Sequence, residues 1–270
     1  MIQEGFEDAG VPEPAIDARY LVEFVSGFSE AEYLLKRDEE IPDEQLARLD
    51  ALAARRRKRE PLQYIIGSQE FMGLPFICTK DCLIPRQDTE ILVERAMKAI
   101  GDRGGDARVL DVCTGSGCII ISLAVLCGLK NAQGMDISEA ALDVARRNAT
   151  ENNANVTFTC SDLFEAATGQ YDVITANPPY IDTGLIHGLI PEIWEYEPML
   201  ALDGGEDGLF FYRKITEQAP KYLKAGGWLL FEIGDTQGEA VAGLMRERGF
   251  KDVSVHKDLA GMHRVVEGRY

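Results

Sequence analysis

Little in this chain can hold a metal ion. Its three histidines, His187, His256 and His263, are scattered over 270 residues, and its six cysteines, at 78, 82, 113, 118, 127 and 160, lack the C-x-x-C spacing of paired ligands. That spacing also argues against a disulfide framework, so the thiols are expected to be reduced and buried in a cytoplasmic protein. Long apolar runs are missing too. The longest uncharged one, Cys118 to Leu129, is too short to span a bilayer and reads as a buried helix. Residues Met1 to Asp8 are acidic and carry no apolar segment, so no secretory leader is expected. Positive charge is scarce: 28 Lys and Arg stand against 45 Asp and Glu, a formal net charge of −17. Such a surface repels a phosphate backbone and favours a basic protein partner or none, so neither direct nucleic-acid binding nor a membrane partner is expected. The one basic run, Arg55 to Arg59, ends a helix, where positive charge is favourable by itself.

What is present is a globular composition, 46% hydrophobic and 27% charged, in a length that suits one large domain or a main domain with a small accessory one. The first sixty residues read as helices. Ile16, Tyr20, Leu21 and Phe24 recur at helical spacing, with Gly27 as a stop. Ser29 and Glu32 fit a capping box opening a helix to Lys36, and Pro42 opens another with Leu46, Leu49 and Leu52 on one face. Gln69–Phe71 and Leu74–Ile77 flank a Met72-Gly73 turn and read as a hairpin. Asp88 or Thr89 is the expected cap of a helix to about Ile100.

From Arg108 onward, strands expected at 108–112, 133–136, 156–160, 171–176 and 227–233 alternate with helices at 117–127, 138–151, 208–222 and 238–248. Strands at 252–257 and 263–268 close the chain. This alternation is that of an α/β fold with a doubly wound parallel sheet. The loop from Tyr180 to Asp207 is long enough to be a functional lid.

Two stretches carry the chemistry. After the first strand of this series, Cys113-Thr114-Gly115-Ser116-Gly117 forms a strand-to-helix turn whose glycines let a ligand approach the helix N-terminus. The third glycine of the dinucleotide fingerprint is replaced by Ile120, which disfavours a nicotinamide dehydrogenase. Asp111 before the turn suits a positively charged cofactor group. Asp136, 25 residues on, can accept from ribose hydroxyls. Asp162 can accept from an adenine amine and Leu163 can flank the ring. Three carboxylates in order at strand ends make S-adenosylmethionine the strongest reading. The second stretch is Asn177-Pro178-Pro179-Tyr180, after the strand 171–176. Its prolines stiffen the loop and leave carbonyls free to accept, and Asn177 accepts through its side-chain oxygen. An acceptor-rich pocket beside an aromatic suits a planar group bearing NH2: a carboxamide, adenine or cytosine.

The chain resembles the HemK/PrmC family of peptide chain release factor glutamine N5-methyltransferases over nearly its whole length. The resemblance rests on Arg59–Gly67, Leu83–Glu90, Thr114–Gly117, Asn177–Tyr180, Tyr196–Pro198 with Ala201–Gly208, and Glu232–Gly234. It implies a Rossmann-like class I S-adenosylmethionine-dependent methyltransferase domain over residues 83–270. A β-hairpin connector at 61–82 and an N-terminal helical domain at 1–60 that helps dock the substrate would precede it. Cys113, Thr114, Gly115, Ser116, Gly117, Asp136, Asp162, Leu163 and Asn177 would line the cofactor site. Asn177, Pro178, Pro179 and Tyr180 would hold the substrate, with Asn177, Pro178 and Tyr180 catalytic. The implied reaction is methylation of the glutamine in the Gly-Gly-Gln motif of bacterial class I release factors. A ribosomal-protein glutamine methyltransferase is the nearer alternative and a nucleic-acid N6-adenine methyltransferase the more distant. Cys113 stands where the family has mostly glycine, Gln87 where proline is frequent and His263 where aspartate is usual; the first departure matters if position 113 needs a positive φ.

Overall fold

The computed structural model describes residues 2–36 and 39–270. The chain divides into two compact units, one of residues 1–68 with 190–196 and one of 69–189 with 197–270.

The first unit is helical: α1 (Ile2–Asp8), α2 (Pro14–Ser26), α3 (Glu30–Lys36), α4 (Asp43–Arg57) and α5 (Leu62–Ile66). Phe6, Leu21, Val25, Leu49, Ala53 and Ile65 form its core. Ser29 and Glu32 make the expected capping box, the Glu32 amide donating to the Ser29 hydroxyl at 3.3 Å and the Ser29 amide to the Glu32 carboxylate at 3.0 Å. The inward stripe of α2 differs from expectation. It runs Asp17, Leu21, Val25, while Ile16 and Tyr20 are exposed. A carboxylate can occupy that stripe because Arg56, itself buried, donates to Asp17 at 2.7 Å. Three of the five residues of the basic run are in ion pairs as well: Arg55 with Glu60, Arg56 and Arg59 both with Glu192.

In the second unit, β1 (Ser68–Phe71) and β2 (Leu74–Ile77) form the hairpin, its turn residues Met72 and Gly73 both at positive φ as a tight two-residue turn demands. Then follow α6 (Glu90–Ile100), β3 (Arg108–Val112), α7 (Cys118–Cys127), β4 (Asn131–Asp136), α8 (Glu139–Glu151), β5 (Val156–Cys160) and β6 (Tyr171–Ala176). The long loop holds the short helices α9 (Pro191–Trp194), which belongs to the first unit, and α10 (Met199–Leu202). The chain closes with α11 (Phe210–Gln218), β7 (Leu223–Glu232), α12 (Gly238–Glu247), β8 (Lys251–Lys257) and β9 (His263–Arg269). The helix expected to reach 222 ends earlier: Pro220 has no amide to donate and the α-helix gives way to a 3-10 turn at Ala219–Lys221.

The sheet has the order β5-β4-β3-β6-β7-β9-β8, with β3 to β7 parallel and β9 antiparallel to both β7 and β8. β6 is buried along its whole length and β3 along nearly all of it, as strands covered on both faces of a parallel sheet are, with Asp111, Asp172 and Thr175 as buried polar exceptions. From β3 the chain winds outward through β4 and β5, then returns to place β6 on the other side of β3. The strand ends at that reversal are where an open α/β sheet leaves a crevice. Among the described residues no helix is long and apolar enough to cross a membrane.

Candidate active site

A cavity enclosing about 1070 Å³ of space, part of it open to solvent, lies at the carboxyl ends of β3, β4, β5 and β6. Of the residues expected in the site, Cys113, Thr114, Gly115, Ser116, Asp136, Asp162, Leu163, Asn177 and Pro179 line it; Gly117, Pro178 and Tyr180 do not. Gly117 stands behind the wall. Its φ is +78°, and an added Cβ would come within 2.9 Å of Ile121, so its role is close packing of turn, helix and Phe158. Pro178 is buried and Tyr180 half-buried.

The turn after β3 winds through positive φ at Cys113 (+58°), Gly115 (+53°) and Gly117. Cys113 therefore holds a left-handed conformation at a backbone cost of about 1–2 kcal/mol, which a glycine there would avoid. Burial and the nearby Asp136, Asp111 and Asp162 push its ionisation well above the usual thiol range, so it stays neutral. Asp136 closes the turn, one oxygen accepting from the Gly115 amide at 2.8 Å and the other from the Ser138 amide at 2.9 Å. Burial raises its pKa despite those donors. The carboxylate, with about four acceptor sites, keeps capacity for a further donor.

Asp111 departs from its expected role. Fully buried, it does not line the cavity; its two oxygens accept from the hydroxyls of Thr114 (2.6 Å) and Thr175 (2.7 Å). Burial pushes its pKa up to about 7. It supports the turn from beneath. On the next strand end, Leu163 holds φ +49° with its carbonyl bound by the Ser161 hydroxyl at 3.0 Å, which presents the apolar side chain to the cavity beside exposed Asp162.

Neither Asp88 nor Thr89 caps α6 through its side chain. A 3-10 turn at Gln87–Thr89 precedes the helix, Thr89 is buried against the cavity, and Asp88 pairs with Arg264 at 3.2 Å. Arg86, on the cavity wall, pairs with buried Glu197. Two family segments far apart in sequence thus meet in one ion pair.

The Asn177–Tyr180 loop is held by the Ala201–Gly208 segment. The Ile181 amide donates to Leu202 at 3.0 Å and the Gly204 amide returns to Ile181 at 2.8 Å. A Cβ on Gly204 would lie 2.6 Å from the Tyr180 Cα, and one on Gly208 would press on the Tyr180 carbonyl. Gln237 adds a clamp from α12's start, donating to the Tyr180 carbonyl at 2.9 Å and accepting from the Gly234 amide at 2.9 Å.

Sequence reasoning gave no site role to Arg86, Thr89, Glu232 or Gln237. Glu232 had a legible signal, a lone carboxylate ending the apolar strand β7. Gln237 had none. The cysteines are free; Cys78, Cys82 and Cys118 are buried as expected, but Cys160 is exposed at the end of β5, the edge strand. Among the described residues no cluster of three or more His, Cys, Asp or Glu could hold a metal ion.

Residues 2–67 match the model of the PrmC N-terminal domain, and residues 87–191 that of the Methyltransferase small domain. The release factor glutamine methyltransferase of Geobacter sulfurreducens is 43% identical over 263 residues, 97% of this chain and 92% of that protein. The one from Agrobacterium fabrum is 39% identical over 266 residues, with the same coverage of 97% and 92%. Among solved structures, a methyltransferase from Pyrococcus furiosus shares the fold at a TM-score of 0.53 and 19% identity, over 73% of this chain and 89% of that one. Identity at the level of the first two, sustained over nearly the full length of both chains, means that this chain belongs to the release factor glutamine methyltransferase family.

Proposed function

We propose that this protein methylates the side-chain amide nitrogen of the Gly-Gly-Gln glutamine in bacterial class I peptide chain release factors, on the Asn177–Tyr180 loop. S-adenosylmethionine is the cofactor, and when bound it supplies an electrophilic methyl group on a positively charged sulfur. The cavity suits such a molecule. Gly115 carries no side chain to obstruct the turn, Asp136 offers carboxylate lone pairs for ribose hydroxyls, and Asp162 stands beside apolar Leu163, Ile137 and Phe211 for an adenine ring.

The observation that carries the reading is the convergence of this wall with Asn177 on one cavity at the sheet's reversal point. A glutamine amide nitrogen is a weak nucleophile because its lone pair is delocalised. The Asn177 side-chain oxygen and the Pro178 carbonyl accept its two hydrogens, orient it, and stabilise the positive charge that develops on it. Tyr180 packs against the amide plane; burial and nearby Glu232 raise its pKa, so it remains a neutral phenol. No strong base is required, since the methylated amide loses its proton to water afterwards. Much of the rate then comes from positioning. The helical unit helps dock the release factor.

The test is transfer of label from radioactive S-adenosylmethionine to a purified bacterial release factor, with the same factor altered at its Gly-Gly-Gln glutamine as control. Label on the intact factor alone supports the reading. Label on a ribosomal protein and not on the factor redirects it.

A further inference from the structure

We propose that Glu232 is a positioning residue that fixes which way the Asn177 amide faces, its carboxylate accepting from the Asn177 nitrogen so that the Asn177 oxygen is turned to the substrate. The inference rests on the function proposed above and adds to it a residue that does not line the cavity.

The geometry begins with the sheet. Ala176 and Phe231 are register partners on the parallel pair β6–β7, so the next residues along, Asn177 and Glu232, leave adjacent strand ends side by side on one face. Glu232 is 2% exposed, and its Oε2 is buried without a hydrogen-bond partner. A buried carboxylate oxygen left unpaired is costly, and a neighbouring side-chain amide is the donor that relieves it. An asparagine amide is nearly symmetric in shape, and nothing in its own covalent structure says which end faces a ligand. Only the oxygen end can accept a hydrogen of the substrate amide. A carboxylate behind it selects that orientation, because it can accept from the nitrogen and would repel the oxygen.

The groups facing Glu232 come from several elements: Asp88 and Thr89 before α6, Asn177 and Tyr180 after β6, Tyr212 from α11, Cys118 from α7 and Arg264 from β9. Burial raises its pKa to about 7, assisted by Asp88 and opposed by Thr89, Arg264 and Asn177. Protonation would give Glu232 an O–H that donates to the Asn177 oxygen and occupies the acceptor the substrate needs. Turnover should therefore fall as pH drops through about 7.

A double-mutant cycle on the full chain tests this, with wild-type labelling of the intact release factor as the entry condition; failure of that condition defeats the proposed function itself. Glu232→Gln should lower kcat about tenfold while cofactor affinity, measured by calorimetry, stays within about twofold of wild type. Added to Asn177→Ala, the same substitution should lower kcat by less than about twofold, because its effect passes through the missing amide. An additive cycle overturns the inference. The pH profile supplies a second arm: an acid-side fall in wild-type kcat centred near pH 7 that is lost in Glu232→Gln supports the inference, and a flat wild-type profile between about pH 6 and pH 8, or a fall unchanged in Glu232→Gln, overturns it.

Discussion

Asn177 and Asp111 are both polar residues at strand ends, yet burial and partners give them different work. Asn177 is half-buried at the cavity, and replacing it by alanine should cut turnover on the order of a hundredfold while cofactor affinity changes far less; parallel kinetics and calorimetry check this. Asp111 is buried beneath the turn, and its pKa of about 7 stands well above the ordinary carboxylate value of 3.8. The folded state therefore holds a proton that the unfolded chain has released between those two values. Asp111 contributes a stability that is full below about pH 4 and lost as pH rises through 7. Asp111→Asn, which cannot ionise, should be most destabilising relative to wild type at acid pH, with the gap in melting temperature narrowing from about pH 5 to pH 8. A gap that widens would contradict the assignment. Cys113 makes a related point. At φ +58° it occupies a conformation glycine adopts freely, so the glycine that the resemblance implies there would answer a backbone demand rather than a chemical one.

At the scale of elements, the active loop is held by neighbours on either side. Gly204 and Gly208 bring the 201–208 segment against the Tyr180 backbone more closely than any residue with a Cβ could. Gly208→Ala meets both the Tyr180 carbonyl and its own φ of +68°. It should lower kcat at least tenfold, with a stability loss of about 1–3 kcal/mol in urea titration and the sheet still formed by circular dichroism. An active variant of wild-type stability would mean that the segment does not hold the loop. The Arg86–Glu197 pair supports the same segment, with burial raising the Glu197 pKa against the pull of Arg86.

Across the whole molecule, three residues of the one basic run, Arg55, Arg56 and Arg59, are paired with carboxylates inside the helical unit. Arg56 lies 4% exposed between Asp17 at 2.7 Å and Glu192 at 2.8 Å, and Arg59 adds a second pair to Glu192. Removing one partner of such a network leaves carboxylates buried and uncompensated. Arg56→Ala should therefore destabilise the helical unit by about 3–5 kcal/mol, seen as lost amide protection in α2, α4 and residues 190–196. Unchanged protection there would refute the network's importance.

Much of this was readable along the chain. The buried runs of β3 and β6, the amphipathic helices between strands, the glycine turn and the carboxylates at 136 and 162 follow from periodicity and spacing, because side-chain pattern and backbone preference are local. So was Asn177 at a strand end. What only the tertiary structure decided is which of these groups meet. Asp111 turns inward because Thr175, 64 residues away, joins Thr114 in satisfying it. Asp17 sits on the inward stripe of α2 because Arg56, 39 residues on, answers its charge, and Arg56 in turn finds Glu192 across 136 residues. Thr89 turns its side chain from the cap of α6 to the cavity while Asp88 pairs with Arg264, and Glu232 gains its neighbours from the end of β6 and from β9. A buried charge is tolerable only when a partner is within hydrogen-bonding reach, and that reach is set by chain closure, which no local pattern records.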